Sequence, residues 1–262
     1  MPNRTFDTAI VRPPPISLSK CVSTNPFKGE VYLDRANEEW AHYVRALRES
    51  GVEVIELERL DHYPDSVFIQ DTAVVSSRGR ALLASFGEPS RRGEEESVAE
   101  YLEAKGFEVL RVEPGGTLEG GDVLVTSEGI IFVGISSRTN EIGAFSLKKA
   151  FPELKVVKVP VKRAFHLLSL VSYLGDLKLA VCSNSIDPSY LEGFELIAIP
   201  EEECYAANLL YLGDRKVLIP SGFPKTEELL RRKGFEPITL RMSEFWKCDG
   251  GLTCLSLPIH EI

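Results

Sequence analysis

The chain has 262 residues, 44% hydrophobic and 26% charged, a balance typical of a globular protein with length enough for a substantial core. Its formal net charge of −9 repels phosphate backbones and argues against a nucleic-acid partner. No apolar run approaches the roughly 18 residues that span a bilayer, so no membrane role is expected.

The elements follow in chain order. A strand is predicted at 8–12, then a helix at 37–50 with Trp40, Val44 and Leu47 at helical spacing. Gly51 ends that helix and opens a strand at 51–57. Two β-rich runs, 72–75 and 81–86, flank a turn. The cycle then repeats: helix 94–105, strand 106–112 and hairpin 123–126/130–133. Helix 141–150, strand 154–159 and hairpin 170–174/177–181 come next. In the fourth round, a short piece at 188–192 stands in for the helix before strand 193–199 and hairpin 209–212/216–220. Helix 226–233 and strand 234–240 complete the fifth. A last strand at 252–257 would pair with 8–12 and close a ring.

The strands recur at intervals of about 40 to 55 residues, the range of structural repeats. Each ββαβ unit buries too little apolar surface alone, so five are expected around an axis as one α/β domain, 1–262, with a central cavity. A doubly wound α/β sheet fits less well. Hairpins demand antiparallel pairs, and no glycine-rich phosphate loop follows the first strand.

Reactive side chains share a phase in this repeat. Asp71, Glu119, His166, Asn208 and Cys254 are separated by 48, 47, 42 and 46 residues, with Cys254 placed in the last strand. Taken singly, a cysteine in an apolar strand is ordinary core, a histidine is an ordinary structural residue, and Gly120-Gly121 is an ordinary turn. Equivalent points of a ring converge on its centre, where they would assemble a nucleophile, a base and acids. The five cysteines (Cys21, Cys182, Cys204, Cys248, Cys254) are odd in number and lack CxxC spacing, which argues against a disulfide framework or zinc ribbon. Cys204 and Cys248 remain rival nucleophiles. The four histidines show no HxxxH pair, so neither a metal nor a cofactor is expected. The chain shows no basic start followed by an apolar stretch, so a cytoplasmic location is expected.

Ordered motifs along nearly the whole chain carry a family likeness. They are Tyr63-Pro64-Asp65-Ser66-Val67-Phe68-Ile69-Gln70-Asp71, Ser90-Arg91-Arg92-Gly93-Glu94 and Gly116-Thr117-Leu118-Glu119-Gly120-Gly121-Asp122. Ser137-Arg138-Thr139-Asn140, Phe165-His166-Leu167, Pro200-Glu201-Glu202-Glu203-Cys204-Tyr205-Ala206-Ala207-Asn208 and Asp249-Gly250-Gly251-Leu252-Thr253-Cys254 continue it. In these the chain resembles the dimethylarginine dimethylaminohydrolases of the guanidine-modifying (pentein) superfamily. The resemblance implies a five-bladed, pseudo-fivefold α/β propeller. It implies Cys254 as nucleophile, His166 as acid/base and Glu119 as the group orienting the histidine. Asp71 and Asp65 would be acids of the substrate pocket, with Gln70 beside them. Arg91 and Arg138 would hold the substrate carboxylate, and Leu18 would belong to a mobile N-terminal lid. Two departures stand out: Gln70 replaces a usual glutamate, and Leu167-Leu168-Ser169 replaces a lysine-bearing segment.

The chemistry needs these residue types. A guanidinium carbon is a poor electrophile, so attack needs a thiolate, which a bound cation favours. Loss of an amide anion is prohibitive, so an acid must protonate the departing amine. The expected partner is a small guanidino substrate, arginine or a methylated arginine; a homo-oligomer is compatible with the sequence. Alternatives are hydrolysis of free arginine, amidino transfer to an amine, and a non-catalytic pentein-fold binding protein, as in a translation initiation factor.

Overall fold

The structure, a computed structural model, describes residues 4–162 and 164–262. Its strands in chain order are β1 (Phe6–Val11), β2 (Glu53–Glu56), β3 (Ala73–Ser76), β4 (Arg80–Leu83) and β5 (Glu108–Arg111). They continue with β6 (Val123–Val125), β7 (Ile130–Ile135), β8 (Lys155–Pro160), β9 (Val171–Tyr173) and β10 (Lys178–Cys182). The last are β11 (Glu195–Ile199), β12 (Leu210–Gly213), β13 (Lys216–Pro220), β14 (Glu236–Leu240) and β15 (Ser256–His260). The helices are α1 (Leu33–Glu49), α2 (Glu96–Ala104), α3 (Glu141–Ala150), α4 (Pro224–Arg232) and the short α5 (Ser243–Trp246).

These strands make five blades of one pattern. In β6-β7-β8, the first pair is antiparallel and the second parallel. Blades β3-β4-β5, β9-β10-β11 and β12-β13-β14 repeat it. The fifth blade joins the chain ends: β15 pairs antiparallel with β1, and β1 pairs parallel with β2. A short parallel contact between β15 and β3 links two blades into one six-stranded sheet. The fold is therefore the five-bladed α/β propeller.

Local chemistry explains the blades. Asp176-Leu177 and Asp214-Arg215 have positive φ at both positions, the backbone of a tight hairpin turn that matches strand twist. Gly51, Gly106 and Gly234, all with positive φ, follow the ends of α1, α2 and α4 as expected of helix-stopping glycines. Asn140 caps α3, its side chain accepting the Gly143 N–H at 2.9 Å, a contact of about 1 kcal/mol. Each helix lays an apolar face on its blade: Tyr43, Val44 and Leu47 of α1, Val98 and Leu102 of α2, Leu147 of α3 and Leu230 of α4 are buried. α5 has no counterpart among the sequence-predicted elements. The Glu39 carboxylate holds its start by accepting the N–H groups of Ser243 and Glu244.

Two expectations are corrected. Cys254 does not lie in the last strand; it sits in a 3-10 turn, Thr253–Leu255, just before β15. The cysteines do pair: Cys21 with Cys248, and Cys182 with Cys204. An odd count leaves one thiol over, and that thiol is Cys254. Spacing gave no sign of the bonds because each joins different elements, Cys21–Cys248 across 227 residues. Such bonds belong to oxidising compartments or to intracellular proteins of hyperthermophiles. Among the described residues, no helix is long and apolar enough to cross a membrane.

Candidate active site

The reactive residues lie at one structural position, the turn that leads into each blade. Asp71 is in the 3-10 turn Ile69–Thr72 before β3, and Glu119 caps the turn Gly120–Asp122 before β6. His166 caps Leu167–Ser169 before β9, and Asn208 ends Glu201–Ala207 before β12. Cys254 completes the circle. The turns meet at the propeller axis, which explains the shared phase in the sequence.

His166 Nε2 lies 2.8 Å from a Glu119 carboxylate oxygen, and Nδ1 lies 3.7 Å from Asp71 Oδ1. Asp71 Oδ1 also accepts the Gly121 N–H at 3.0 Å. This crowding requires glycine: a Cβ on Gly121 would stand 2.5 Å from Asp71 Oδ1 and 2.6 Å from His166 Nδ1. Asp122 fixes the backbone next to the imidazole, accepting the Leu167 N–H at 2.9 Å and the Ser136 hydroxyl at 2.6 Å. In the turn before β15, the Gly251 N–H points at Cys254 Sγ from 3.4 Å, and Asn208 Nδ2 stands 3.9 Å from it. The Asn208 Oδ1 accepts the Thr253 N–H at 2.9 Å, which holds the cysteine turn.

Electrostatics sets the resting protonation. Burial alone would lower the His166 pKa, but Asp71, the Glu119 hydrogen bond and Asp122 raise it to about 9. The imidazole is therefore a cation near neutrality. Burial and then Asp71 push the Cys254 thiol up to about 11, against the opposing pull of Gly251, Thr253 and Arg91. The resting sulfur is a thiol. Asp71 is held below the ordinary carboxylate range because His166 and Arg91 outweigh its burial. Asp65 moves the other way, raised chiefly by burial. It accepts the Val22 N–H.

One small cavity of about 40 Å³ is lined by Asp65, Asp71, Arg91, Arg138, Phe165, His166 and Cys254, among others. Arg138 reaches Glu119 at 3.4 Å and lies over the Phe165 ring. An open recess of about 460 Å³ shares Phe165, Ser169 and Asp249 with the cavity and continues past Tyr205 and Trp246. The N-terminal segment straps over the cavity. Asp249 accepts from Ser23 and from the Thr24 N–H, Val22 lines the cavity, and Cys21 is bonded to Cys248.

Leu18 and Gln70 fall outside this cavity. Leu18 is buried in the core under the strap. Gln70 lines a separate cavity with Ser172, Thr253 and His260; its Oε1 has no hydrogen-bond partner. The rival thiols Cys204 and Cys248 are both in disulfides. Sequence reasoning assigned no role to Glu94, Asp122 or Asn208. Glu94 and Asp122 follow Arg91 and Glu119 by three residues, a spacing that pairs them locally. Ligand atoms of Asp71, Glu119 and His166 lie within 4.8 Å of one another, a set able to hold a cation that histidine spacing did not reveal.

With this geometry in view, known proteins are informative. A family model described as N,N dimethylarginine dimethylhydrolase, eukaryotic, matches residues 23–261. An uncharacterized protein of Aeropyrum pernix is 47% identical, covering 100% of this chain and 98% of its own length. The N(G),N(G)-dimethylarginine dimethylaminohydrolase of Streptomyces coelicolor is 38% identical, over 97% of both chains. Among solved structures, a cysteine-to-serine variant of the Pseudomonas aeruginosa dimethylarginine dimethylaminohydrolase complexed with citrulline superposes with a TM-score of 0.90. It is 32% identical, with 97% of this chain and 100% of that chain covered. Model, relatives and fold agree: the chain belongs to the dimethylarginine dimethylaminohydrolase family.

Proposed function

We propose that the protein hydrolyses the guanidino group of an arginine-type amino acid, with methylated arginine as substrate and citrulline and an amine as products. The observation that carries this is the single unpaired thiol, Cys254, lining one cavity with an imidazolium and a carboxylate suited to a guanidinium. Asp71 receives the substrate cation through charge-assisted hydrogen bonds, and Asp65 adds a second acid nearby. A cation beside the sulfur offsets what Asp71 does to the thiol, so the proton leaves to solvent and a thiolate forms only with substrate bound.

The thiolate adds to the guanidino carbon, forming a C–S bond. His166, already protonated, gives its proton to the departing nitrogen as the C–N bond breaks. This leaves a cationic thiouronium on Cys254 and a neutral imidazole. His166 then takes one proton from water as water attacks the same carbon; as the C–S bond breaks, the second proton passes to the departing sulfur, which restores the resting thiol and releases the neutral ureido product. Glu119 holds the ring through both steps and favours its charged form. No oxyanion hole is required, because addition to a cation reduces charge. Arg138, which lines the cavity, is the guanidinium for a substrate carboxylate; Arg91, expected to share that role, is engaged by Asp71 and Glu94 in the resting protein.

The test is a substrate panel of arginine, monomethylarginine and dimethylarginine with identification of each released amine. Dimethylamine with citrulline supports the reading. Ammonia from arginine alone would reassign the protein to arginine hydrolysis.

A further inference from the structure

The Arg91 guanidinium occupies the acid that a substrate guanidinium needs. Its Nη1 lies 2.7 Å from Asp71 Oδ2 and 3.7 Å from a Glu119 oxygen, with the Phe86 ring beneath. Its other two nitrogens face elsewhere. Nε and Nη2 both donate to Glu94, Nη2 at 2.8 Å, and Nη2 also reaches the Phe68 carbonyl at 3.4 Å. Glu94 is completely buried, and Arg91 is 4% exposed. A buried ion cluster is a poor way to gain stability, since desolvation offsets the attraction. The small cavity opens through Phe165, Ser169 and Asp249 onto the larger recess, so substrate can approach Asp71 from there. Both Asp71 oxygens are already engaged, Oδ2 by Arg91 and Oδ1 by the Gly121 N–H, so a substrate guanidinium pairing there competes with Nη1. The geometry divides Arg91 into an anchored side and an exchangeable one.

We propose that Arg91 is an internal guanidinium place-holder, displaced from Asp71 by the incoming substrate, and that Glu94 is the positioning residue that retains it beside the site. This rests on the reading of Asp71 as the acid for the substrate guanidinium. In the resting protein Nη1 neutralises Asp71. When substrate enters, its guanidinium takes over Asp71, and the whole planar fork of Arg91 pivots on its Glu94 contact so that Nη1 leaves Asp71. Burial raises the Glu94 pKa to about 7, so above that pH each cation keeps a carboxylate throughout the exchange. The exchange selects for planar guanidinium cations, because a ligand must replace a charge-assisted contact of the same kind.

The experiment titrates guanidinium chloride at matched ionic strength and reads its half-saturating concentration from the change in the rate of Cys254 alkylation, followed by intact mass. That readout needs no turnover, so it decides the place-holder even if the assigned hydrolysis fails in the substrate panel. In Arg91→Ala, Asp71 is vacated, and half-saturation is expected at a guanidinium concentration about tenfold lower than in the wild type. Arg91→Gln, which keeps polarity without charge, is expected to shift the same way if the alanine variant does not fold. In Glu94→Gln, Arg91 loses its bidentate partner and depends on Asp71, with Glu119 at 3.7 Å, so it competes harder and half-saturation is expected about threefold higher. Unchanged or weaker guanidinium binding in a folded Arg91 variant would overturn the place-holder. Unchanged or tighter binding in Glu94→Gln would remove the role of Glu94.

Discussion

The imidazole of His166 sits between two carboxylates, Nε2 at 2.8 Å from Glu119 and Nδ1 at 3.7 Å from Asp71. The Glu119 contact fixes the ring, and together the acids stabilise its charge against burial. The consequence for pH dependence has a definite sign. The pKa of His166 is raised from 6.5 to about 9 in the folded protein. Its contribution to stability is therefore fully present below about 6.5 and lost as pH rises through about 9. Urea unfolding of wild type and His166→Asn should show a gap of a few kcal/mol at pH 6 that closes by pH 10. A gap that widens with pH would mean the ring is neutral at rest.

Gly121 makes room for that ring. Gly121→Ala would drive a methyl group into both His166 and Asp71. Displacement on the order of 1 Å at a reacting group costs about 100-fold in rate. The variant should keep its far-ultraviolet circular dichroism and lose kcat by about that factor. Full activity would show that the pair tolerates displacement.

Thiol titration checks the disulfides. With two bonds among five cysteines, denatured, unreduced protein should give one reactive thiol per chain, and reduced protein five. Double replacement of Cys21 and Cys248 by serine should lower unfolding stability by about 2–4 kcal/mol. It should also speed alkylation of Cys254, because the strap over the cavity loses its covalent tie. Five thiols without reductant would remove both bonds.

Arg138 should distinguish substrates by their carboxylate. Arg138→Ala is expected to raise KM for guanidino amino acids about tenfold or more, with a smaller change for alkylguanidines. Equal losses for the two classes would take the carboxylate away from it.

The fold was legible because its signals are local and repeated. Gly51, Gly106 and Gly234 mark helix ends, hairpin turns fall where glycine and aspartate cluster, and strand 154–159 lies within one residue of β8. The common phase of Asp71, Glu119, His166 and Cys254 was legible for the same reason, since each belongs to the same turn of a repeat. What escaped was non-local. Cys21 meets Cys248 only because the N-terminal strap crosses the ring. Cys254 reads as strand because its neighbours are apolar, yet the turn before β15 must bend to bring sulfur to the axis. Gln70 follows the same motif as Asp71, but adjacent residues of a turn face different ways, and it opens onto the other cavity. The ordered motifs identified the family; the pairing of Arg91 with Asp71 was visible only in three dimensions.

The most direct measurement is acid quench of the protein during turnover of dimethylarginine, with intact-mass and peptide analysis of Cys254. The account predicts a substrate-derived thiouronium on that residue in the wild type, and none in Cys254→Ser. Dimethylamine release by Cys254→Ser at the wild-type rate, with no adduct at any time, would contradict it.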